Sequence, residues 1–568
     1  VIYDASVEIR SSIVQATLII IVAFIPLFLL SGMEGRMLIP LGITFIVSLF
    51  ASLIVALTVT PVLSSYLLNT PKQLKRHESG GNKFIQWLNL WYARSLEAVI
   101  RIRKVVILVS VALLIFSLFV FSNFGRSFLP EFNEGTLTIT TVSLPGLNLK
   151  QTKEISEQLD MQLLEIPEVK YVSRRTGRAE LNEHSHGGSN TSEIDVPYEL
   201  KDRSKDDFMV EVRERLGRVP GINISIGQPL GHRIDHMLSG TRANIAIKVF
   251  GDDLSTLRNV ANEIKSNIEN VDGLVDLNVE QLVEIPQIQI RPRREMMARY
   301  GIPSNEFTEH VETFIAGKKV SEVYENNLNI DLVLRYNEKT RNSIEAIRNS
   351  LIDTYDGNKV PLSFVADVVS VSGPNVINRE NVRRKLVVSA NVAGRDVGSV
   401  VNDIKANINQ NVQLPENYFI KYGGQFESAQ TASRLLLITS ILAILVIFII
   451  LYQEFKSASL AGLVLINLPL ALIGGVAAVW MTSNMLSIPA IIGFITLFGI
   501  ATRNGILLVS RYQHLINKGY NLKDTVIHGS SDRLNPILMT ALASSLALIP
   551  LALSGTQPGN EIQSPMAI

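Results

Sequence analysis

The sequence has no cysteine among its 568 residues. This absence excludes disulfide bonds, thiolate metal sites and cysteine nucleophiles. Neither sign of charge is in excess, because 53 Lys and Arg residues balance 52 Asp and Glu residues. The basic footprint of a nucleic-acid-binding protein is therefore missing. No Gly-x-x-x-x-Gly-Lys-Ser/Thr loop or nucleophile–base motif occurs either, so the sequence does not predict an ATP-hydrolysing or other enzyme.

The chain is rich in long apolar segments. Each is close to the length of about 20 residues that a helix needs to cross a bilayer. They cover residues 13–30, 38–63, 105–121, 435–452, 460–480, 486–509 and 537–553. We predict an integral membrane protein whose basic linkers lie on the cytoplasmic side. In the first linker, Trp87 and Trp91 have helical spacing, which fits an amphipathic interfacial helix or an ordinary packed linker.

Arg503 lies inside the apolar segment 486–509, within Gly-Ile-Ala-Thr-Arg-Asn-Gly-Ile. An unpaired arginine at the centre of a span costs roughly 2.5–3.5 kcal/mol on insertion scales, and such residues usually mark an ion or proton path. The alternative is a short buried helix with a snorkelling arginine. None of the other apolar segments contains Asp or Glu. A lipid, another chain or a missing part of this protein would then pair with Arg503, and the non-Met start and the apolar run at 566–568 favour a missing part.

The block between the third and fourth apolar segments, 122–431, alternates strand and helix patterns. Strands are predicted at 136–143, 170–174, 194–200 and 222–226, and helices at 149–164 and 205–216. This βαββαβ order is typical of a ferredoxin-like unit. A second copy is predicted from strands at 244–250, 275–279, 385–391 and 418–422 and helices at 254–268 and 397–408. The fold class is thus an α-helical membrane protein with a large α+β insert made by duplication.

The domain boundaries follow from these patterns. We predict spans over 1–66, a cytoplasmic amphipathic linker over 67–103, a span over 104–121, a ferredoxin-like unit over 122–242, a second unit over 243–282 and 375–431, an inserted subdomain over 283–374, spans over 432–556 and the start of another span over 557–568. The inserted subdomain has its own predicted helices and turns marked by Pro and Gly.

Several phrases resemble the resistance-nodulation-division (RND) efflux pumps. They are Phe128-Leu-Pro-Glu131, Leu144-Pro-Gly146, Gly423-Gly-Gln-Phe-Glu427, Gly499–Gly505 and Pro536-Ile-Leu-Met-Thr540. A tight Gly-rich turn over 31–36 is predicted to join the first two spans. Its Glu34-Gly-Arg36 part and the opening Val1-Ile-Tyr-Asp-Ala-Ser-Val-Glu8 resemble the heavy-metal branch, the copper/silver and cobalt–zinc–cadmium pumps. The resemblance covers the whole chain and implies the second half of a twelve-span protein, starting after the fourth span.

The resemblance also implies roles for particular residues. Arg503 matches the basic residue that pairs with proton-carrying aspartates on the missing fourth span, and Arg533 and Thr540 match relay positions on the eleventh span. The copper/silver pumps have Glu at the position of Arg503, so this chain departs from them there. Their periplasmic methionine triad falls on Glu193, His236 and Lys319, none of which is Met.

The outer block offers imidazole and carboxylate ligands, which suit Zn²⁺, Co²⁺ or Ni²⁺, whereas thioether triads suit Cu(I). The candidates, with Met237 beside them, are Glu180, His184, His186, Glu193, His232, Asp235 and His236. His232, Asp235 and His236 would share one face if that segment is helical. Glu193 could neutralise Lys319 if the fold brings them together. A polar loop with scattered histidines is the alternative to a metal site.

The resemblance therefore implies a proton-driven exporter of heavy-metal cations, working as a secondary antiporter without a bound cofactor and carrying Zn, Co, Cd or Cu. It implies a homotrimer in the bacterial inner membrane, with a periplasmic adaptor and an outer-membrane channel. An RND exporter of drugs or other organic compounds remains an alternative, as does a membrane sensor that transports nothing.

Overall fold

The computed structural model describes residues 2–67, 83–127, 130, 132–177, 188–555, 557 and 559–568. Apolar helices form one part of the molecule, and two sheet units with an inserted subdomain form the other. The first group of helices comprises α1 (Ile2–Phe28), α2 (Gly32–Leu57), α3 (Val59–Leu67), α4 (Lys83–Arg101) and α5 (Arg103–Ser122).

The connection between the first two spans is shorter than predicted. The sequence predicted a turn over 31–36, but α2 already begins at Gly32. The turn closes earlier because the amides of Leu29 and Leu30 bond to the carbonyls of Pro26 and Leu27, at 3.3 Å each. The glycines of 32–36 are therefore helical.

The first sheet unit follows the third span. Its elements are β1 (Gly125–Arg126), β2 (Thr136–Ser143), α6 (Leu149–Leu164), β3 (Ser173–Thr176), β4 (Thr191–Pro197), α7 (Lys205–Leu216), β5 (Ile222–Gly227) and α8 (Pro229–Ser239). The sheet order is β3-β4-β2-β5, with β1 outside it. This is the ferredoxin-like order that the sequence predicted. Asn148 and Ser204 cap α6 and α7, which have the predicted bounds.

Strand β3 lies further along the chain than predicted. It covers Ser173–Thr176 instead of 170–174. Only these residues pair with β4 in register, whereas Val169 forms an isolated bridge to Tyr198. The shift brings Arg175 opposite Glu193.

The second unit repeats this topology around the inserted subdomain. Its elements and those of the insert, in chain order, are β6 (Ile245–Phe250), α9 (Leu254–Ile268), β7 (Leu274–Val279), β8 (Glu284–Pro292), α10 (Arg294–Arg299), α11 (Ser304–Ile315), β9 (Lys318–Glu325), β10 (Leu328–Leu334), α12 (Glu338–Arg341), α13 (Ile344–Arg348), β11 (Leu351–Asp353), β12 (Lys359–Pro361), α14 (Leu362–Val365), β13 (Ala366–Pro374), β14 (Arg379–Glu380), β15 (Arg383–Val392), α15 (Val397–Asn411) and β16 (Phe419–Gly424). The strands β7, β15, β6 and β16 lie side by side in that order. The ferredoxin-like order thus appears twice. The long pair β8–β13 encloses the insert.

The remaining membrane helices follow β16. They are α16 (Gln425–Phe455), α17 (Ala458–Leu465), α18 (Asn467–Met481), α19 (Ile488–Asn517) and α20 (Leu522–Leu553). The short strand β17 (Met485–Leu486) precedes α19, and the short helix α21 (Gln563–Ala567) follows α20. In the described residues, six helices or continuous helix pairs are long and apolar enough to cross a membrane, and the apolar stretch Ile13–Phe28 is shorter. Each of the seven predicted segments falls on a helix.

Each part has its own apolar core. Buried side chains of α1, α16 and α19 form the core of the membrane helices, and each sheet unit buries the inner faces of its own strands and helices. The insert has a fourth core. In contrast, α5 buries only Ser117 and exposes aliphatic side chains along its length. This pattern is expected of a helix whose outer face meets lipid.

Candidate functional site

A cleft of about 990 Å³ lies between the two sheet units. Its walls come from β2, β4 and β5 of the first unit and from β7 and β15 of the second. Among the described residues that line it, none is Phe, Tyr or Trp. Hydroxyl and amide side chains are frequent there: Thr140, Asn148, Ser189, Asn190, Thr191, Ser192, Asn223, Ser225, Thr241, Asn278, Gln281, Asn375, Asn378 and Ser389. The lining therefore offers many side-chain oxygen atoms and no large aromatic side chain.

Glu193 faces this cleft, but its carboxylate is already paired. Arg175 donates to Oε1 from the neighbouring strand, and Arg242 donates to Oε2 from the turn after α8. Arg242 also donates to the Thr140 hydroxyl at 3.0 Å. Two guanidinium groups beside one carboxylate repel an incoming cation. Glu193 can thus serve as a cation ligand only if one arginine moves away.

His236 lines the same cleft, so two of the three positions matched to the methionine triad are brought together. It lies on α8, where Pro229 occupies the first turn and Gly240 ends the helix in the left-handed region. The segment is helical, which is the condition under which the sequence spacing would place His232, Asp235 and His236 on one face.

Asp235, the residue before His236, does not line the cleft. It is 2% exposed and accepts hydrogen bonds from Gln425 at 2.7 Å and Asn244 at 3.1 Å. Burial raises the pKa of Asp235 to about 6, although the two amide donors act in the opposite direction. Met237 is 62% exposed and lies outside the cleft lining. Asp235 and His236 therefore do not act as one metal-binding pair.

His232 occupies a tight site against Gly227. Its ring is 5% exposed, and neither nitrogen has a hydrogen-bond partner in the described part of the chain. Burial, followed by the nearby charge of Arg242, lowers the pKa of His232 to about 4. The ring is therefore neutral at physiological pH, and it packs as part of the wall behind the cleft.

Lys319, the third position of the triad, lies on the β9–β10 hairpin of the insert. Its ammonium group pairs with Glu322 and Asp331, and these contacts raise its pKa. It does not line the cleft. Glu193 and Lys319 are thus each neutralised by other residues, and the pairing between them considered from the sequence does not form.

The remaining metal candidates Glu180, His184 and His186 lie outside the described residues. Within the described ranges, no group of three or more His, Asp or Glu side chains is close enough together to hold a metal ion. The cleft offers single ligands, His236 and Glu193, in an oxygen-rich lining.

The second candidate site is Arg503 on α19. The side chain is half-buried, and the structure gives it no hydrogen bond or ion pair with any described residue. Next to it, the Asn504 side-chain oxygen is buried without a partner among those residues, and Thr502 is fully buried. Gly505 allows α19 to pack closely against Asn467 of α18, because a Cβ at this position would lie 2.8 Å from the side-chain nitrogen of Asn467.

The two other proposed relay residues lie on α20, which packs along α19. Thr540 donates its hydroxyl hydrogen bond to the carbonyl of Pro536 at 2.9 Å, within its own helix. Arg533 is half-buried one helical turn before Pro536 and has a bonding partner. Neither observation assigns a proton-transfer role, and both roles remain predictions.

Sequence reasoning missed the two arginines of the cleft. Arg175 could have been found from the strand pairing, since it lies directly across from Glu193. The predicted strand ended one residue too early to include it. Arg242 lies in an irregular turn, where no periodic pattern indicates which side chains face each other.

The fold, the cleft and the intramembrane arginine define a class of membrane protein. A sequence profile of the AcrB/AcrD/AcrF family matches residues 1–568, and the chain belongs to this family. Its relatives include heavy-metal pumps, so the predicted membership of the heavy-metal branch of the RND superfamily is confirmed.

Three curated relatives illustrate the similarity. The chain is 35% identical over 581 residues to protein HelA of Legionella pneumophila, covering 100% of this chain and 54% of HelA. It is 31% identical to the cobalt-zinc-cadmium resistance protein CzcA of Cupriavidus metallidurans, with coverage of 100% and 54%. It is 29% identical to the cation efflux system protein CusA of Escherichia coli K12, with coverage of 100% and 55%.

A solved structure agrees with these matches. A crystal structure of a heavy metal efflux pump, crystal form II, is similar with a TM-score of 0.80 at 28% identity, over 99% of this chain and 55% of that one. The chain spans about half the length of the curated relatives it matches.

Proposed function

We propose that this chain forms part of a proton-driven exporter of divalent metal cations in the bacterial inner membrane. The observation that carries the proposal is an oxygen-lined cleft between two sheet units, above a helix bundle that holds a half-buried arginine. In this proposal the cleft would take the cargo and Arg503 would be the ionisable group that couples its transport to protons. The complete exporter would be a homotrimer with a periplasmic adaptor and an outer-membrane channel.

The lining of the cleft supports a small hydrated cation over an organic compound. Pockets for drug-sized ligands are mostly apolar and aromatic, whereas this cleft has no Phe, Tyr or Trp in its described lining. Nitrogen and oxygen ligands suit Zn²⁺ or Co²⁺, and a cleft without thioether ligands is a poor site for Cu(I). His236 would bind the cation, and Glu193 would join it when released from its arginines.

The coupling would work through Arg503. An unpaired arginine is costly in a membrane, so we infer that a carboxylate from outside the described residues pairs with it. Protonation of that carboxylate would weaken the pair and shift the population towards another arrangement of the helices. Arg533 and Thr540 on the neighbouring helix would carry the proton further.

Uptake of ⁶⁵Zn²⁺ by inside-out vesicles containing the complete transporter tests this function. Uptake that needs a proton gradient and saturates with Zn²⁺ would support it. A failure to move Zn²⁺, Co²⁺ or Cd²⁺, together with transport of a fluorescent organic dye, would establish the drug-exporter alternative instead.

Arg242→Ala should tighten Zn²⁺ binding to the cleft by about 10-fold. The guanidinium group occupies Glu193 and repels cations, and removing an adjacent charge in a partly exposed site is worth on the order of 1–2 kcal/mol. Isothermal titration of the detergent-solubilised transporter measures the change, and His236→Ala should abolish the binding.

The matched control for that titration is Arg218→Ala, because Arg218 pairs with Glu214 on the surface of the same unit. Its Zn²⁺ affinity should equal that of the wild type. Equal Zn²⁺ affinities of the Arg242 variant and the wild type would show that Arg242 does not limit the binding of a cation to Glu193. An equal increase in both variants would show a general charge effect.

A further inference from the structure

Helix α8 connects the two sheet units, since the chain passes from β5 of the first unit through α8 to β6 of the second. The helix also rests on the membrane helices, because Ile234 is buried in the same apolar core as residues of α1, α16 and α19. His236 on another face lines the cleft. One short helix therefore contacts the cargo cleft, both sheet units and the membrane domain.

Span α16 is firmly attached to the second unit. Strand β16 ends at Gly424 and α16 begins at Gln425, with no loop between them. Gly424 has φ of 90°, and a Cβ there would lie 2.5 Å from the Asn244 carbonyl oxygen. The Lys405 ammonium group lies 4.3 Å from the centre of the Phe426 ring on the first turn of α16. Movement of α16 must therefore move the second unit.

The outer end of α16 reaches α8 through a hydrogen bond. The Gln425 amide donates to one oxygen of Asp235 at 2.7 Å, and the Asn244 amide donates to the other at 3.1 Å. Asn244 in turn accepts from the Val392 amide at 3.2 Å on β15 of the second unit. The Asp235 end of these bonds is 2% exposed, and a hydrogen bond to a carboxylate is stronger than one between neutral groups.

We propose that the Asp235–Gln425 hydrogen bond is the contact through which movement of span α16 reaches helix α8 and, with it, the His236 wall of the cleft. It joins α16 to the helix that carries His236, so movement of the span is passed to one wall of the cleft during the transport cycle. Asp235 and Gln425 are positioning residues in this arrangement and do not touch the cargo. The inference rests on the proposed transport function, and its structural part is measured without transport.

The first experiment compares Gln425→Ala with Gln430→Ala in the complete transporter. Gln430 is a matched control, because it is an exposed glutamine on the same helix. Gln425→Ala should lower the maximal rate of ⁶⁵Zn²⁺ transport about 10-fold, the equivalent of one hydrogen bond to a charged group. Its KM and its Zn²⁺ affinity in titration should stay unchanged. An unchanged rate, or a parallel loss of affinity, would overturn the proposal.

The second experiment is a double-mutant cycle with Asp235→Ala. If the two residues act through one contact, the double variant should transport as slowly as Gln425→Ala alone. Independent, multiplying defects would contradict this role. Thermal melting of each variant identifies any that fails to fold, and Asp235→Leu, which is closer in volume and has no acceptor oxygen, then replaces Asp235→Ala in the cycle.

The third experiment does not depend on cargo. This sequence has no cysteine, and any cysteine elsewhere in the complete transporter is first replaced by serine. Spin labels at Gln158→Cys and Asn409→Cys, exposed positions on α6 and α15, then report the distance between the sheet units. Gln425→Ala should broaden the distance distribution, and Gln430→Ala should not. Identical distributions would disprove the coupling contact, whereas broadening in a protein that moves no metal would retain the contact and reject only the metal-export function.

Discussion

Arg503→Ala is expected to reduce proton-coupled metal transport by the complete transporter to background. The side chain is half-buried on a membrane helix and has no partner among the described residues. If a carboxylate from elsewhere pairs with it, removing the arginine leaves that buried charge unpaired, at a cost of about 3–5 kcal/mol. The carboxylate would then hold its proton throughout the cycle, so proton binding and release could no longer drive transport.

The measurement is ⁶⁵Zn²⁺ uptake driven by a proton gradient, with cross-linking to show that the variant still assembles. Arg511→Ala is the control, because Arg511 lies on the same helix as Arg503. Its guanidinium group pairs at 2.6 Å with the half-exposed carboxylate of Asp532 on helix α20. It should transport at a rate close to that of the wild type. Efflux at the wild-type rate by the Arg503 variant would reject its role in coupling.

Phe208→Ala should destabilise the first sheet unit by about 3–5 kcal/mol, the usual cost of removing a buried aromatic side chain. Phe208 is 0% exposed and stacks on Tyr198, with ring centres 4.7 Å apart. The Arg203 guanidinium lies 5.4 Å from its ring centre. The truncation therefore leaves a cavity and removes two ring contacts at once.

Thermal melting of the solubilised transporter, combined with limited proteolysis, measures this loss. The lowest melting transition should fall by several degrees, and new cleavage should appear within residues 136–242. Val210→Ala on the same helix is the control, because Val210 is 62% exposed and its loss should leave both readouts unchanged. Equal melting of the two variants would show that Phe208 does not anchor the core.

Much of the fold could be predicted because the periodic patterns are long. Helices α6 and α7 have the predicted bounds, since their apolar spacing is regular and Asn148 and Ser204 cap them. The edge strand β3 was misplaced because it has only four residues, and one isolated bridge lies outside it. The inserted subdomain was predicted because it interrupts a repeated order of strands.

The candidate site was less predictable. The resemblance placed Glu193 and His236 together, and both line the cleft. Spacing alone could not separate Asp235 from His236, because residues adjacent on a helix point in directions about 100° apart. Whether a carboxylate binds cargo or supports a helix depends on partners such as Gln425, which lies 190 residues away in sequence.

The inserted subdomain is joined to the second unit through a narrow neck, which consists of the paired strands β8 and β13. Glu284 and Pro374 lie opposite each other at its base, where the Asn375 amide also bonds to the Val283 carbonyl at 3.0 Å. The chain therefore leaves the second unit and returns to it at nearly the same point. An exchange of everything beyond this neck between related pumps would leave the host sheet intact. Evolution can thus alter the insert independently of the cleft, and chimaeras joined at residues 284 and 374 offer the same freedom in the laboratory.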